Sequence, residues 1–418
     1  QLLRGGGPGR VAYDALHGLK SGIKDALIPQ AMFEDLGLKY LGPVDGHSVS
    51  AVEETLARGA SLDAPVLVHV ITQKGRGYVP AEEDIADRFH AVGPIHPETG
   101  LPVAPARFGW TSVFADEIVR IARERDDVVG VTAAMMRPVG LGPLHEAFPG
   151  RVIDVGIAEQ EAAACAAGMA YEGAHPVVAL YATFLNRAFD QVLMDVALHR
   201  APVTFVLDRA GVTGADGPSH NGVWDIAMCQ MVPGLRMAAP RDEDTLREEL
   251  REAVGTDDAP TVVRYRKGQL PAPMPALRRS GPVDVLFDEA GASTVLIVAT
   301  GATVPDALRA ARALAADGVG ARVVDPRWII PVPGELAGLA QGADAVVSVE
   351  DGGLSGGFGW ALRDALAPVP VVCLGVPKEF PAHGDRDDMI ARFGYDAAGI
   401  ERAARVALGR LAPQKAGV

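Results

Sequence analysis

Along most of the chain, short runs of consecutive apolar residues alternate with longer stretches whose apolar positions recur every three or four residues. That alternation is the sign of parallel strands joined by crossover helices. The expected fold class is therefore α/β, with doubly wound parallel sheets covered by helices in three layers. Early in the chain the pattern predicts a strand over 37–44, a helix over 48–58 and a buried strand over 65–72 (PVLVHVIT) that runs into KGRGY at 74–78. A Pro-rich polar stretch, 96–107, follows and reads as a domain boundary. From residue 111 the pattern predicts helices over 111–125, 158–172, 183–200 and 243–254. Strands are expected at 128–132, 152–155, 176–181, 202–208, 236–239 and 261–266. A second Pro-rich stretch, 270–282 (LPAPMPALRRSGP), reads as an extended surface linker. Beyond it, strands are expected at 294–300, 321–324, 345–350 and 369–374, with helices at 305–316, 360–367 and 398–411. The expected domains are 1–107, 108–269 and 283–418.

Composition narrows the function classes. The chain has 418 residues, 48% of them apolar and 22% charged, which places it among folding globular chains rather than disordered ones. The net charge of −14 repels phosphate polymers and anionic lipid, so neither nucleic acid nor a membrane is expected as a partner. The apolar run around 295–304 is too short and too interrupted to span a bilayer. Cys165, Cys229 and Cys373 lie far apart without metal-ligand spacing, as expected in a reducing cytoplasm, and no zinc site is implied. The start, Gln1-Leu2-Leu3-Arg4-Gly5, has no initiator Met and no signal-peptide core, so an upstream part is expected.

Ligands of open α/β sheets bind beyond the carboxyl ends of the strands, and three polar clusters fall there in the middle domain. In the first, DVGIAEQ (154–160), Glu159 opens an Ala-rich helix; small residues after it allow close packing and a desolvated carboxylate. In the second, YATFLNR (181–187), Phe184 and Arg187 share a helix face, so an aromatic plate and a cation can meet one ligand. The third is the loop DRAGVTGADGPSHNG (208–222). Its glycines permit close backbone approach, Arg209 offers a fork for phosphate, and His220 can move protons near neutral pH. The Gly-rich segment 352–359 lacks both the Walker and the dinucleotide registers and reads as strand-to-helix packing. By itself, His90 in RFHAV reads as structural.

The segments FEDLGLKYLGPVDGH, KGRGY, FHAV, DVGIAEQ, YATFLNRAFDQV, DRAGVTGADGPSHNG and VVDPRWIIPV together resemble the 1-deoxy-D-xylulose-5-phosphate synthase family. The resemblance implies a transketolase-like fold with a partial thiamine-diphosphate-binding domain, a pyrimidine-binding domain and a transketolase C-terminal-like domain. It implies a homodimeric, cytoplasmic, thiamine-diphosphate- and Mg²⁺-dependent transferase. Such an enzyme condenses pyruvate with D-glyceraldehyde 3-phosphate, losing CO₂, at the first step of non-mevalonate isoprenoid synthesis; the product also feeds thiamine and pyridoxal synthesis. By the same resemblance, Glu159 matches the acid at the cofactor's aminopyrimidine, with Phe184 stacking on that ring, Arg187 beside it and Tyr78 a further cofactor contact. His90 and His220 match histidines facing the thiazolium carbon. Tyr181, Arg209 and Asp216 match the acceptor site.

Three departures are physical. The family's RYPRG reads Arg264-Tyr265-Arg266-Lys267-Gly268 here, so Lys267 brings a point charge to the acceptor phosphate where the family has a fork. The family's AEQH reads AEQE, with Glu161 about 200° from Glu159 around a helix. No GDG motif for Mg²⁺ and diphosphate occurs, so the metal ligands are expected in a missing N-terminal part. The leading expectation is the C-terminal two-thirds of such a synthase; the alternative is a non-catalytic or split-subunit paralogue that needs a separate diphosphate-binding chain.

Overall fold

The computed structural model describes residues 31–84, 88–90, 92–103 and 108–409. The chain forms two compact units, Gln1–Ala106 and Arg107–Val418. In the first, β1 (Lys39–Asp45) and β2 (Val66–Ile71) pair in parallel. The helix Val49–Ala60 joins them, starting where the Ser48 hydroxyl accepts the Ala51 N–H at 3.4 Å. A short helix, Val79–Glu83, follows KGRGY with Pro80 in its first turn, where a missing N–H costs nothing.

The second unit holds two sheets. The strands are β3 (Val128–Thr132), β4 (Val152–Asp154), β5 (His175–Tyr181), β6 (Thr204–Asp208), β7 (Arg236–Ala238), β8 (Thr261–Arg264), β9 (Arg278–Ser280), β10 (Val283–Glu289), β11 (Thr294–Ala299), β12 (Gly320–Asp325), β13 (Trp328–Ile330), β14 (Ala345–Gly353) and β15 (Val371–Val376). One sheet runs β13-β7-β8-β6-β5-β3-β4, parallel apart from β13. The other runs β15-β14-β11-β12-β10-β9, with β10 antiparallel to both its neighbours. Strands β5 and β6 are buried on both faces, which is why they read as unbroken apolar runs. The helix Trp110–Glu124 turns Trp110, Val113, Phe114, Ile118 and Ile121 to one side, at helical spacing, and buries them against this sheet. The helix Glu243–Val254 begins at a capping box between Asp242 and Thr245.

Three sequence expectations change. The single helix expected over 183–200 is a 3₁₀ segment (Ala182–Ala188), a turn of α-helix (Phe189–Gln191) and a π segment (Val192–Ala197). The tighter 3₁₀ winding stacks positions three apart directly above one another. Part of the expected linker is the edge strand β9, paired with β10. The segment VVDPRWIIPV leaves β12 of one sheet and supplies β13 to the edge of the other, so the two sheets exchange a strand. The glycine segment 352–359 does pack strand to helix: the Glu350 carboxylate accepts the N–H groups of Phe358 and Gly359, each at 2.9 Å, at the start of the helix Phe358–Ala365. Among the described residues, no helix is long and apolar enough to cross a membrane.

Candidate functional site

The carboxyl ends of β4, β5 and β6 gather the polar clusters of the second unit. Beyond β4, Glu159 is the first residue of the helix Glu159–Tyr171 and only 2% exposed. A carboxylate suits a helix N-terminus, where unpaired N–H groups carry partial positive charge. Arg187 donates to its Oε1 at 2.8 Å. The same guanidinium lies 4.7 Å from the centre of the Phe184 ring, as the 3₁₀ winding requires of residues three apart. Phe184 stacks on Tyr181 at 5.9 Å and 14°, and meets His220 edge-on at 5.5 Å. Arg209 covers Tyr181 at 3.9 Å. Glu159, Arg187, Phe184, Tyr181, Arg209 and His220 are thus one contiguous cluster. Glu161 is exposed, on a different side of its helix from Glu159.

The loop after β6 is built to hold a fixed shape. Arg209 adopts left-handed φ (59°), and at Gly211 (φ 77°) a Cβ would lie 2.3 Å from the Asp351 carboxyl. Asp351 accepts the Val212 N–H at 3.0 Å and an ion pair from Arg386 at 2.6 Å. Asn221 closes the loop from within, accepting the Thr213 N–H at 2.8 Å and donating to the Gly217 carbonyl at 3.0 Å. The His220 ring is hydrogen-bonded to Ser219 through Nδ1 at 2.8 Å. Farther along, Lys267 pairs with both carboxylate oxygens of Asp216, at 2.7 and 2.9 Å. Lys267 is 43% exposed, so solvent screens the pair and it contributes little to stability.

Beneath the cluster, burial pushes the Asp208 carboxyl up to about 6, against the pull of Arg209 and the hydrogen bond from Thr111. Thr111 donates to Oδ2 at 2.6 Å. The other oxygen, Oδ1, and Nη1 of Arg209 are both buried without a hydrogen-bond partner, 3.7 Å apart. Buried polar atoms are nearly always satisfied, and this pair lies at a strand end directly beneath the cluster. Burial also raises the Tyr181 phenol, with Arg209 opposing.

Tyr78 and His90 belong to the first unit. The Tyr78 hydroxyl donates to the Pro97 carbonyl at 2.8 Å, and its ring lies 5.9 Å from Phe89, the residue before His90. Of the FHAV motif, Ala91 falls outside the described residues. Sequence reasoning passed over Asp208, Thr111 and Asp351. An Asp closing the apolar strand VTFVL was a usable signal; Thr111 and Asp351 reach the site from distant segments and left none. Among the described residues no group of three or more His, Cys, Asp or Glu could hold a metal ion, so the cluster does not fit Mg²⁺. Its buried acceptor carboxylate and stacked rings fit a planar amino-heterocycle.

Comparison with known proteins agrees over most of the chain. Residues 2–72 match the family model described as 1-deoxy-D-xylulose-5-phosphate synthase, 106–273 that of the transketolase pyrimidine binding domain, and 285–400 that of the transketolase C-terminal domain. The chain is 57% identical over 406 residues to 1-deoxy-D-xylulose-5-phosphate synthase 1 of Kitasatospora griseola, covering 96% of this chain and 63% of that protein. It is 56% identical over 399 residues to 1-deoxy-D-xylulose-5-phosphate synthase 2 of Streptomyces coelicolor, covering 94% and 62%. It thus spans less than two thirds of these relatives' length. Among solved structures, an inactive β4 tetramer of a split-gene transketolase superposes with a TM-score of 0.63 at 28% identity, over 71% of this chain and 97% of that one. The transketolase of Campylobacter jejuni superposes with a TM-score of 0.62 at 16% identity, over 89% and 68%, and shares the fold.

Proposed function

The chain belongs to the 1-deoxy-D-xylulose-5-phosphate synthase family, and on that premise we propose that the strand-end cluster of its second unit is the pyrimidine half of a thiamine-diphosphate site together with an acceptor-aldehyde pocket. The observation that carries the reading is Glu159: a carboxylate 2% exposed, opening a helix and joined through Arg187 to the Phe184 ring. The reaction assigned is decarboxylative condensation of pyruvate with D-glyceraldehyde 3-phosphate, the entry to non-mevalonate isoprenoid synthesis.

Thiamine diphosphate, when bound, supplies a carbon nucleophile for a 2-oxoacid. The chain's own residues do the rest. Glu159 would hold the aminopyrimidine nitrogen and keep a proton there, because a desolvated carboxylate hydrogen-bonds strongly and exchanges little with bulk water. Phe184 would support the ring's face. His220, steadied by Ser219, would orient the 2-oxoacid and move protons. Arg209 and Lys267 would bind the acceptor's phosphate, and Asp216, now holding Lys267, would release it to the incoming anion. Tyr181 would wall the acceptor pocket. Mg²⁺ is assigned to no residue of this chain. Three free cysteines suit a reducing cytoplasm, and the tetrameric split-gene neighbour favours an assembly of more than one chain, which we assign as a homodimer.

That neighbour also favours a second reading, a subunit that works only with a separate diphosphate-binding chain. Calorimetric titration with thiamine diphosphate and Mg²⁺, alone and after adding the separately expressed N-terminal segment of a relative, followed by a pyruvate plus D-glyceraldehyde 3-phosphate assay, tests the site that both readings share. Binding and product only after addition establish a competent half-site, and an in-frame upstream coding segment, as against a separate gene, then separates a fragment from a split subunit; no binding in either case overturns the cofactor assignment.

A further inference from the structure

Where the two sheets of the second unit meet, a cavity of about 310 Å³ is lined by Arg241, Arg266, Arg309, Arg386, Asp306 and Asp387, among others. Neither Lys267 nor Arg209 lines it, so it is separate from the acceptor pocket. Three of its four arginines are already committed. Arg241 pairs with Asp284 and Asp325, at 2.8 and 2.9 Å. Arg386 pairs with Asp351, and Arg309 with Asp306.

Arg266 is different. Its hydrogen bond is a long one, from Nε to the Lys267 carbonyl at 3.3 Å, and among the described residues no carboxylate lies within ion-pair distance of it. The side chain is half-buried. Burial and the neighbouring Arg386 hold its guanidinium below the usual arginine range, which is what a cation in want of an anion shows. A guanidinium presents its donors in a planar fork matched to phosphate. The cavity also opens beside the first turn of the 13-residue helix Val304–Ala316, through Ala302 and Pro305, where partial positive charge adds to the field.

We propose that this cavity binds a small phosphate-class dianion, held by the Arg266 fork with Arg309 and Arg386 flanking it, as a second anion site apart from the acceptor pocket. About 310 Å³ is at the lower end for ligand pockets, which suits inorganic phosphate or a short phosphomonoester and excludes a nucleotide. The site stands independently of the proposed reaction.

The test is calorimetric titration of the full chain carrying Arg209→Gln and Lys267→Gln, which together disable the acceptor pocket, with inorganic phosphate and, separately, with glycerol 3-phosphate. The expected result is one equivalent bound, weakened at least tenfold by adding Arg266→Gln and severalfold by Arg309→Gln, with the loss growing at low ionic strength. Tighter binding of glycerol 3-phosphate identifies the ligand as a phosphomonoester; equal binding identifies phosphate itself. Arg266→Gln is checked for an unchanged circular dichroism spectrum and melting point, and Arg309→Gln, at an exposed side chain, serves if it misfolds. Loss of all binding with Arg209→Gln and Lys267→Gln alone, binding indifferent to Arg266→Gln and Arg309→Gln, or no binding at millimolar ligand overturns the proposal.

Discussion

Arg209 and Arg241 sit in the same unit, each beside an aspartate that burial pushes up to about 6, Asp208 in one case and Asp325 in the other. Arg241 donates Nη1 to Asp284 and Asp325 and Nε to the Met274 carbonyl at 3.0 Å. Arg209 instead holds a buried donor that faces a buried acceptor 3.7 Å away with no hydrogen bond between them, its plane laid on Tyr181. The first arrangement joins the β7 exit to β10 and β12, and so ties the two sheets together. The second lies at the strand end where the loop 208–222 folds over the cluster. The difference teaches that composition does not separate a structural ion pair from a functional one. Place in the fold does: Arg209 lies at a strand end beside the Glu159 cluster, whereas Arg327 Nε and Glu249 Oε1 are equally buried without a hydrogen-bond partner, 3.7 Å apart, away from it.

The sharpest way to break this comparison is to remove each arginine in turn. Arg241→Leu leaves Asp325 buried without its cation and Asp284 with Arg279 alone, and is expected to cost about 3–5 kcal/mol in urea unfolding, whereas Arg209→Gln is expected to cost about 1 kcal/mol or less. Equal losses would end the distinction. The next effect is pH-dependent. Because the folded Asp208 carboxyl sits near 6 against 3.8 for the free side chain, the native state binds its proton more tightly than the unfolded state does. That stabilisation is present below about 4 and is lost as pH rises through 6. Asp208→Asn is therefore expected to be more stable than wild type at pH 8 by up to about 3 kcal/mol, with the gap closing towards pH 4. A gap that does not change between those pH values would contradict the burial of an ionisable carboxyl there. The smallest effect belongs to Lys267→Arg, which restores a fork at the acceptor phosphate and is expected to lower KM for D-glyceraldehyde 3-phosphate by about threefold with kcat unchanged.

Much of the second unit was legible because its strands are buried on both faces and its helices are long. The helix Glu243–Val254 stands at its expected residues, since Asp242 before it and the apolar spacing after it say the same thing. The strand β13 was not legible: three residues carry no period, and the pairing that defines it lies in the other sheet. The breakdown of 183–200 into 3₁₀, α and π turns was hidden for a related reason, because apolar spacing alone does not distinguish helix types. In the site, Glu159, Phe184, Arg187 and Arg209 could be named because they follow strand ends. Asp351 could not, although it fixes the Arg209 loop from about 140 residues away, and neither could Thr111, whose hydroxyl holds Asp208. Long-range hydrogen bonds leave no local trace in a sequence.

The most direct test of the central claim is the turnover of pyruvate and D-glyceraldehyde 3-phosphate by Glu159→Gln beside wild type, both supplied with a relative's N-terminal segment and both followed by urea unfolding. A functional carboxylate predicts a loss of about 100-fold or more in product formation, with stability changed by about 1 kcal/mol or less, because the partner left behind, Arg187, is 44% exposed and stays hydrated. Wild-type turnover by Glu159→Gln would contradict the account.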